Sequence, residues 1–520
     1  MTSKKVILYF ILLVSCAVQA QLTDSLSVQQ NLFYNDIQQQ FWRNPLFYTT
    51  QHLNDFTLTQ IDFSQKNLNL KRVQTAERTT QYSFTTQGIY NVKPRLRLFG
   101  GFVFHKASEK GLGYNFSSQR TENQNVLSPN YFFAPRKGNW DNQEYNLDGG
   151  FAYQFNNNIL LAGKAFYKNG KNYRTNDPRP EVEVSNYGGE IQTGYNFRNN
   201  SLFVSAGISK KTETSSITYV NDALNAPVYS ETFTRFSSGY GRIIFNSSYN
   251  RYIFNTIDKN FGFGYQYQND RSSWNASYRY NKSMESFYQK NVRGYIYIDD
   301  ELKQFMYRVV SHTSDLNYFY DGPEKDYKLR FSYETQKGDN FSVRENGQNY
   351  RMNLDIFSFN SGLIKKDKKR VVYSFELGAN YMRHKYIDLL GSTDKRLNTL
   401  EISAAFNKDI LSKEKNTLNL ALGVQHYQAL DESLVFIPIS SSNLSFADNV
   451  IKPDQAYDAT SKLRSNIMLQ YQYSLSKTKK LRIFANYNTL VALGDQYKTY
   501  TTDYNTKEST YFNGGISIIY

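Results

Sequence analysis

The residues able to do chemistry are few and scattered. The five histidines, His52, His105, His312, His384 and His426, stand apart, and neither a His-Glu-x-x-His nor a Gly-x-Ser-x-Gly pattern occurs. With no base or second ligand close by in sequence, each reads as an interfacial or loop residue rather than a catalytic base. The Gly-x-Gly at 111–113 and the Gly262/Gly264 pair lack the following helix that a phosphate cradle needs, and small residues inside a strand let large neighbours pack. Asp299-Asp300 falls in an expected outer loop without the spaced oxygen ligands that Ca²⁺ takes. Cys16 is the only cysteine, so neither a disulfide framework nor a cysteine metal site can form. The expectation is a protein that is not an enzyme and holds no cofactor or metal.

Charge points to a different kind of chemistry. The net charge is +15, with basic residues spread along the chain, which suits anionic lipid headgroups or anionic solutes, with no nucleic acid expected as a partner of an exported chain. Lys365, Lys366, Lys368, Lys369 and Arg370 make one basic turn, echoed by Lys477, Lys479 and Lys480. Such turns either meet headgroups or keep a tight turn solvated.

The elements that must position these residues are strands. Tyr and Phe together number 81 against 10 Pro, a bias toward extended, half-buried backbone. Phe261, Phe263, Tyr265 and Tyr267 alternate with Gly262, Gly264, Gln266 and Gln268. Tyr373, Phe375, Leu377, Ala379 and Tyr381 alternate likewise with Ser374, Glu376, Gly378 and Asn380. Alternation puts one residue class on each face. Tight turns are expected at Asn91 to Pro94, Asn156 to Asn158, Arg198 to Asn200, Asp321 to Asp326, Lys365 to Lys369, Ser412 to Asn416 and Lys477 to Lys480. Long connections are expected at 107–142, 168–186, 219–232, 286–307, 338–348, 384–396, 431–458 and 494–508. Between them lie about 20 strands, with 18 or 22 within the error of such boundaries. Arg251 to Ile257 is either a short strand of its own or part of its neighbour.

A mean hydropathy of −0.62 and no long apolar run past residue 20 exclude spanning helices. A soluble sandwich would have to show water its Phe, Tyr, Ile and Leu face, and a solenoid or propeller would show an internal repeat, which is absent. The expected fold is therefore all-β: a transmembrane antiparallel β-barrel with short periplasmic turns and long extracellular loops. On its strands Glu190, Gln192, Arg330, Glu334, Asp355, Glu376, Glu401 and Arg482 are predicted to face the lumen. Phe512, Gly514, Ile516, Ile518 and the last residue, Tyr520, share one face of a final strand, an ending similar to the signal read by the barrel assembly machinery.

The N-terminus reads as an export signal over residues 1–20: Lys4 and Lys5, an apolar run from Val6 to Val14, then small residues ending at Ala20. Leu13-Val14-Ser15-Cys16 also resembles a lipoprotein signal. Residues 21–54 lack alternation. Ser25 to Trp42 can form an amphipathic helix ended by Asn44-Pro45, either a periplasmic lead-in or a lumen plug, with the barrel occupying 55–520.

The signal, the Trp42-Arg43-Asn44-Pro45 element, the Tyr-rich strands and the terminal Tyr520 together make the chain resemble outer-membrane β-barrel proteins of the Bacteroidota, most of all a barrel family of unknown function. It departs from TonB-dependent receptors, which carry a large folded plug domain, so an energised receptor is not expected. The resemblance implies outer-membrane lipid and lipopolysaccharide as surroundings, with a periplasmic or surface protein as a further partner. The expected role is a passive channel or transporter, against a structural or assembly anchor and, more remotely, a barrel enzyme.

Overall fold

Strands with one apolar and one polar face must satisfy their backbone sideways, and here they do so around a closed ring. The computed structural model describes residues 55–121, 127–245, 251–289, 303–343, 345–367, 370–413, 415–476, 479–494 and 508–520. In chain order the strands are β1 (Phe56–Leu68), β2 (Arg78–Lys93), β3 (Leu96–Leu112), β4 (Asn130–Phe133), β5 (Gly138–Gln154), β6 (Ile159–Arg174) and β7 (Arg179–Phe197). They continue as β8 (Asn200–Thr218), β9 (Arg235–Ser238), β10 (Ile243–Phe245), β11 (Arg251–Gln268), β12 (Ser272–Gln289), β13 (Lys303–Asp321) and β14 (Lys325–Ser342). The last seven are β15 (Tyr350–Asp367), β16 (Arg370–Asp388), β17 (Thr393–Ser412), β18 (Asn416–Phe436), β19 (Lys462–Ser474), β20 (Lys480–Ala492) and β21 (Glu508–Ile519).

All but β4, β9 and β10 form one 18-stranded antiparallel sheet. It closes where β1 pairs with β21, from Leu58 opposite Ile519 to Leu68 opposite Ser509. Thr57 and Tyr520 finish the seam with reciprocal backbone hydrogen bonds of 2.6 and 3.0 Å, so the first and last strands meet at the edge that carries the tight turns. The region left open in sequence resolves simply: Arg251 to Ile257 is the first part of β11, which pairs directly with β8.

Asparagine builds several of the tight turns. Asn156 Oδ1 accepts from the backbone N–H groups of Asn158 and Ile159 at 2.8 Å, and Asn269 Oδ1 accepts from those of Arg271 and Ser272 at 2.9 and 2.6 Å. The second turn, between β11 and β12, was not among those expected. Two connections expected to be long are short, only 175–178 between β6 and β7 and 389–392 between β16 and β17. The strands there run on after their outward face has turned polar, and alternation lapses with it. Asn169 and Lys171 follow Tyr167 on β6, and Glu183 and Glu181 follow Tyr187 on β7, with Lys171 paired to both glutamates.

Outward-facing side chains in the half of the barrel nearest the tight turns are predominantly apolar. Tyr267, Tyr265, Phe263 and Phe261 of β11 lie opposite Trp274, Ala276, Tyr278 and Tyr280 of β12, and Phe263 is 52% exposed. Inward, Gly264 lies under the ring of Phe203, which a Cβ would approach to 2.1 Å, so the glycine is required by its cross-strand neighbour. Phe512, Ile516, Ile518 and Tyr520 all face outward in this band. Replacing Phe263 with Arg is expected to destabilise the barrel by about 2–4 kcal/mol, whereas Asn275→Arg on the adjacent inward face should shift it far less. Urea midpoints in lipid vesicles read the difference, and equal losses would contradict the assignment of faces.

Candidate functional site

Beyond the apolar band the barrel is filled from within. Among the described residues, 69–77, 113–121, 127–137, 232–245 and 437–461 turn inward and fold together as a cap. Its sheet pairs β4 with β9 and β9 with β10. Every residue of β4 is buried, because Tyr131 and Phe133 point to one side and Phe132 to the other. Phe132 stacks on Tyr252 of the wall at 4.2 Å and meets Phe236 at 4.8 Å. Around them pack Trp140, Val182, Val184, Ile217, Phe254, Phe287 and Phe305, contributed by strands from β5 to β13. The opposite side of β4 meets a helical stretch: α1 (Ser441–Phe446), a π-helical turn at Ala447–Ile451, and α2 (Lys452–Ala459). Phe133 contacts Phe446 at 5.2 Å within a cluster that includes Val450 and Ile451.

Local sequence explains the helix. Ser440 caps it by accepting from the Asn443 N–H at 3.2 Å, and Pro453 lies where the π-helical turn passes back into α2. The β9–β10 turn is bolted to the wall by Asp388, whose Oδ2 accepts from the backbone N–H groups of Tyr240 and Arg242 at 2.7 and 3.0 Å. Gly241 makes this approach with a φ of 133° that favours glycine. Asn340 and Asn349 both donate to the Ser238 carbonyl at 3.1 Å.

Charge ties the helix to the first inward connection. Asp458 on α2 accepts from Arg72 at 2.8 Å and from Lys395 of β17 at 2.7 Å, with its side chain 3% exposed. Those two cations hold its carboxyl well below the usual range although burial acts against it. One turn earlier, Asp454 accepts from the Val73 N–H at 2.8 Å. Its burial outweighs the attraction of Arg72 and pushes its pKa up to about 6. Lys462, at the start of β19, lies 4.0 Å from the ring centres of both Tyr427 and Tyr457.

Directly under the cap lies a chamber of about 1060 Å³. Arg72, Tyr457 and Asp458 form part of its roof, and Lys66, Glu334, Glu401, Tyr427 and Arg464 are among its walls. It combines charges of both signs with tyrosine and asparagine side chains, a surface suited to a polar, hydrogen-bonding solute.

The residues predicted to face the lumen divide as follows. Glu334 and Glu401 line the chamber, and Glu401 accepts from Gln425 at 2.7 Å. Glu190 and Gln192 point inward, and Glu190 pairs with Arg279 across two intervening strands at 3.0 Å. Arg330 pairs with Asp315 at 2.9 Å and Glu376 with Lys328 at 3.0 Å. Arg482 donates to Ser517 at 2.8 Å. Asp355 corrects the expectation. It shares the outward face of β15 with Phe357 and Phe359, where it accepts from Arg383 and from the Tyr333 hydroxyl, both at 3.2 Å. It sits where the outward face turns polar, so polarity there does not mean lumen.

Sequence reasoning missed Arg72, Lys395, Asp454 and Asp458. The signal for the last two was present, as two aspartates four apart beside Ala456 and Ala459. Among the histidines, His105 hydrogen-bonds Ser83 at 2.9 Å and His312 the Tyr278 hydroxyl at 2.7 Å, while His52 and the rest of 21–54 lie outside the described residues. Among the described residues no group of three or more His, Cys, Asp or Glu is arranged to hold a metal ion.

Removing Asp458 as Asp458→Ala leaves Arg72 and Lys395 without their shared carboxylate. It is expected to loosen the cap by about 3–5 kcal/mol, measured as faster amide exchange over 437–461. Asp454 sets a pH dependence of the opposite kind. Its raised pKa means the docked cap favours the protonated acid, so its contribution is complete below about pH 4 and lost as pH rises through about 6. Asp454→Asn keeps an oxygen for the Val73 N–H. It should dock more firmly than the native chain at about pH 7.5 and flatten the pH profile of cap proteolysis between about 4 and 7.

A family model described as a family of unknown function (DUF6850) matches residues 45–520. No curated protein matches the sequence. Among solved structures the chain is similar to the outer membrane transporter YddB from Escherichia coli, at 8% identity and a TM-score of 0.39, over 90% of this chain and 81% of that one. It is also similar to BauA, the ferric preacinetobactin receptor from Acinetobacter baumannii, at 8% identity and a TM-score of 0.40, over 90% and 80%. The unliganded ferric citrate transporter FecA gives 8% identity and a TM-score of 0.42, over 89% and 78%. Likenesses of this size carry nothing about what this chain binds.

Proposed function

The chain belongs to the DUF6850 family, and from that premise and the geometry we propose that it is a gated transport barrel of the bacterial outer membrane for a polar solute. The observation that carries this reading is the cap, an apolar core packed from wall to wall directly over a polar chamber. A closed barrel with an apolar outer band and a polar lumen fits that membrane. The basic and then apolar pattern of residues 1–20, read as an export signal, supports the same location. The passive route expected from the sequence becomes a gated one. A standing pore would need a water-filled path through Phe132, Phe236, Phe287 and their neighbours, whereas displacing the cap opens the lumen without breaking the ring.

Single-channel recording in planar bilayers tests this. The native protein should be silent or conduct only in brief openings, while a double variant, Asp458→Ala with Phe132→Ala, should show long stepwise conductance. Steady conductance of the native protein would overturn the gate. Silence of both, with heat-modifiable migration showing folded barrels, would move the reading to a structural or assembly anchor.

A further inference from the structure

Three lysines face outward at one level on three neighbouring strands. Lys210 is the eleventh residue of β8, Lys259 the tenth from the end of β11 and Lys282 the eleventh of β12, each counted from the tight-turn edge. A strand crosses hydrocarbon in about 9–11 residues, so all three stand where the apolar band ends. On the same face, one step lower, are Ile208, Phe261 and Tyr280.

The lysines are also close together. Lys259 and Lys282 are direct cross-strand partners, and Lys210 lies diagonal to Lys259, opposite Ile257. Like charges placed directly opposite repel, and among the described residues none of the three has an acidic ion-pair partner. Several other outward cations do have carboxylate partners, Arg308 with Asp339, Arg383 with Asp355 and Arg396 with Asp394, while Lys106 and Lys408, which have none among the described residues, stand on other strands away from this group. A cluster left unneutralised at a membrane boundary requires anions from outside the protein.

Below the lysines the outer wall carries an apolar groove of about 720 Å³, with Ala276, Ser314 and Ala379 among its small residues and Phe263, Tyr278 and Phe357 among its large ones. Phe263 and Tyr278 are themselves cross-strand partners, two steps down the same strands from Lys259 and Lys282.

We propose that Lys210, Lys259 and Lys282 form a headgroup site for a doubly phosphorylated, acylated glycolipid of the outer leaflet, with an acyl chain of the same molecule in the groove below. Three adjacent cations exceed what the single charge of a glycerophospholipid neutralises, whereas two phosphates on one headgroup match them. The leaflet follows from the proposed orientation in the outer membrane; the phosphate chemistry does not depend on it.

The test uses the full-length mature protein in phosphatidylcholine nanodiscs, titrated with bisphosphorylated lipid A, its dephosphorylated form or phosphatidylglycerol, with retained lipid counted by native mass spectrometry. Bisphosphorylated lipid A should be retained about tenfold more than either alternative. The triple variant K210Q/K259Q/K282Q should lose that preference, while K408Q, an outward lysine near the tight turns, keeps it. Equal retention by the triple variant, or an equal loss in K408Q, overturns the site. Equal retention of phosphatidylglycerol by the native protein overturns the doubly phosphorylated ligand. If the triple variant fails to fold, the three-lipid comparison on the native protein and on K259Q decides. Because none of these readouts involves conduction, the site can fail while the gate stands, and the reverse.

Discussion

A peptide group in hydrocarbon finds no hydrogen-bond partner except another peptide group, and every other feature of this protein depends on that constraint. It is met by a ring whose last bonds join Thr57 to Tyr520. Because the ring closes, each strand has two solvents, and the chain can give one face to Phe, Tyr, Leu and Ile and the other to Glu, Arg, Asn and Gln. The inward ion pairs, Glu190 with Arg279 and Lys328 with Glu376, are affordable only because the wall keeps them away from lipid.

The cap obeys a different rule. Its sheet and helix hold together as the interior of a water-soluble domain does, by aromatic packing around Phe132 and Phe133, and they are oriented by a few buried polar bolts. Asp388 fixes a turn through backbone N–H groups, and Asp458 fixes the helix through two cations. The first kind of contact tolerates little movement of either partner. The second joins three separate parts of the chain, so its loss frees a whole element rather than a single side chain.

Much of the ring was legible in the sequence and little of the cap. Alternation in segments such as Phe261 to Gln268 identifies strands because lipid and lumen impose period two, and the count of 18 falls at the lower end of what that signal allows. The signal stops where the lipid stops, not where the strand does. For that reason 168–186 and 384–396 looked like loops, and Asp355, at the same boundary, looked as though it faced the lumen. The turn at Asn269 hid among polar neighbours on both sides. The cap left no period to read: its strands are three or four residues long, and its helix changes from α to π and back within the span from Ser441 to Ala459. The partners of Asp458 come from residues 72 and 395, a proximity that only the closed ring creates.

The strands outrun the membrane. The wall residues that meet the cap, Val182, Ile217, Tyr252, Phe287 and Met352, lie well beyond the level of Lys210 and Lys282, on a collar whose inner face packs on the cap above the lipid-facing band. On the proposed gated reading, sealing and gating therefore fall at different heights of one cylinder. The lipid-facing belt keeps the bilayer intact whatever the collar's contents do, and the contents can rearrange in an aqueous surrounding where exposed polar backbone finds water. Rigidity and motion, which a thin membrane ring would have to reconcile in the same residues, are here separated along the axis.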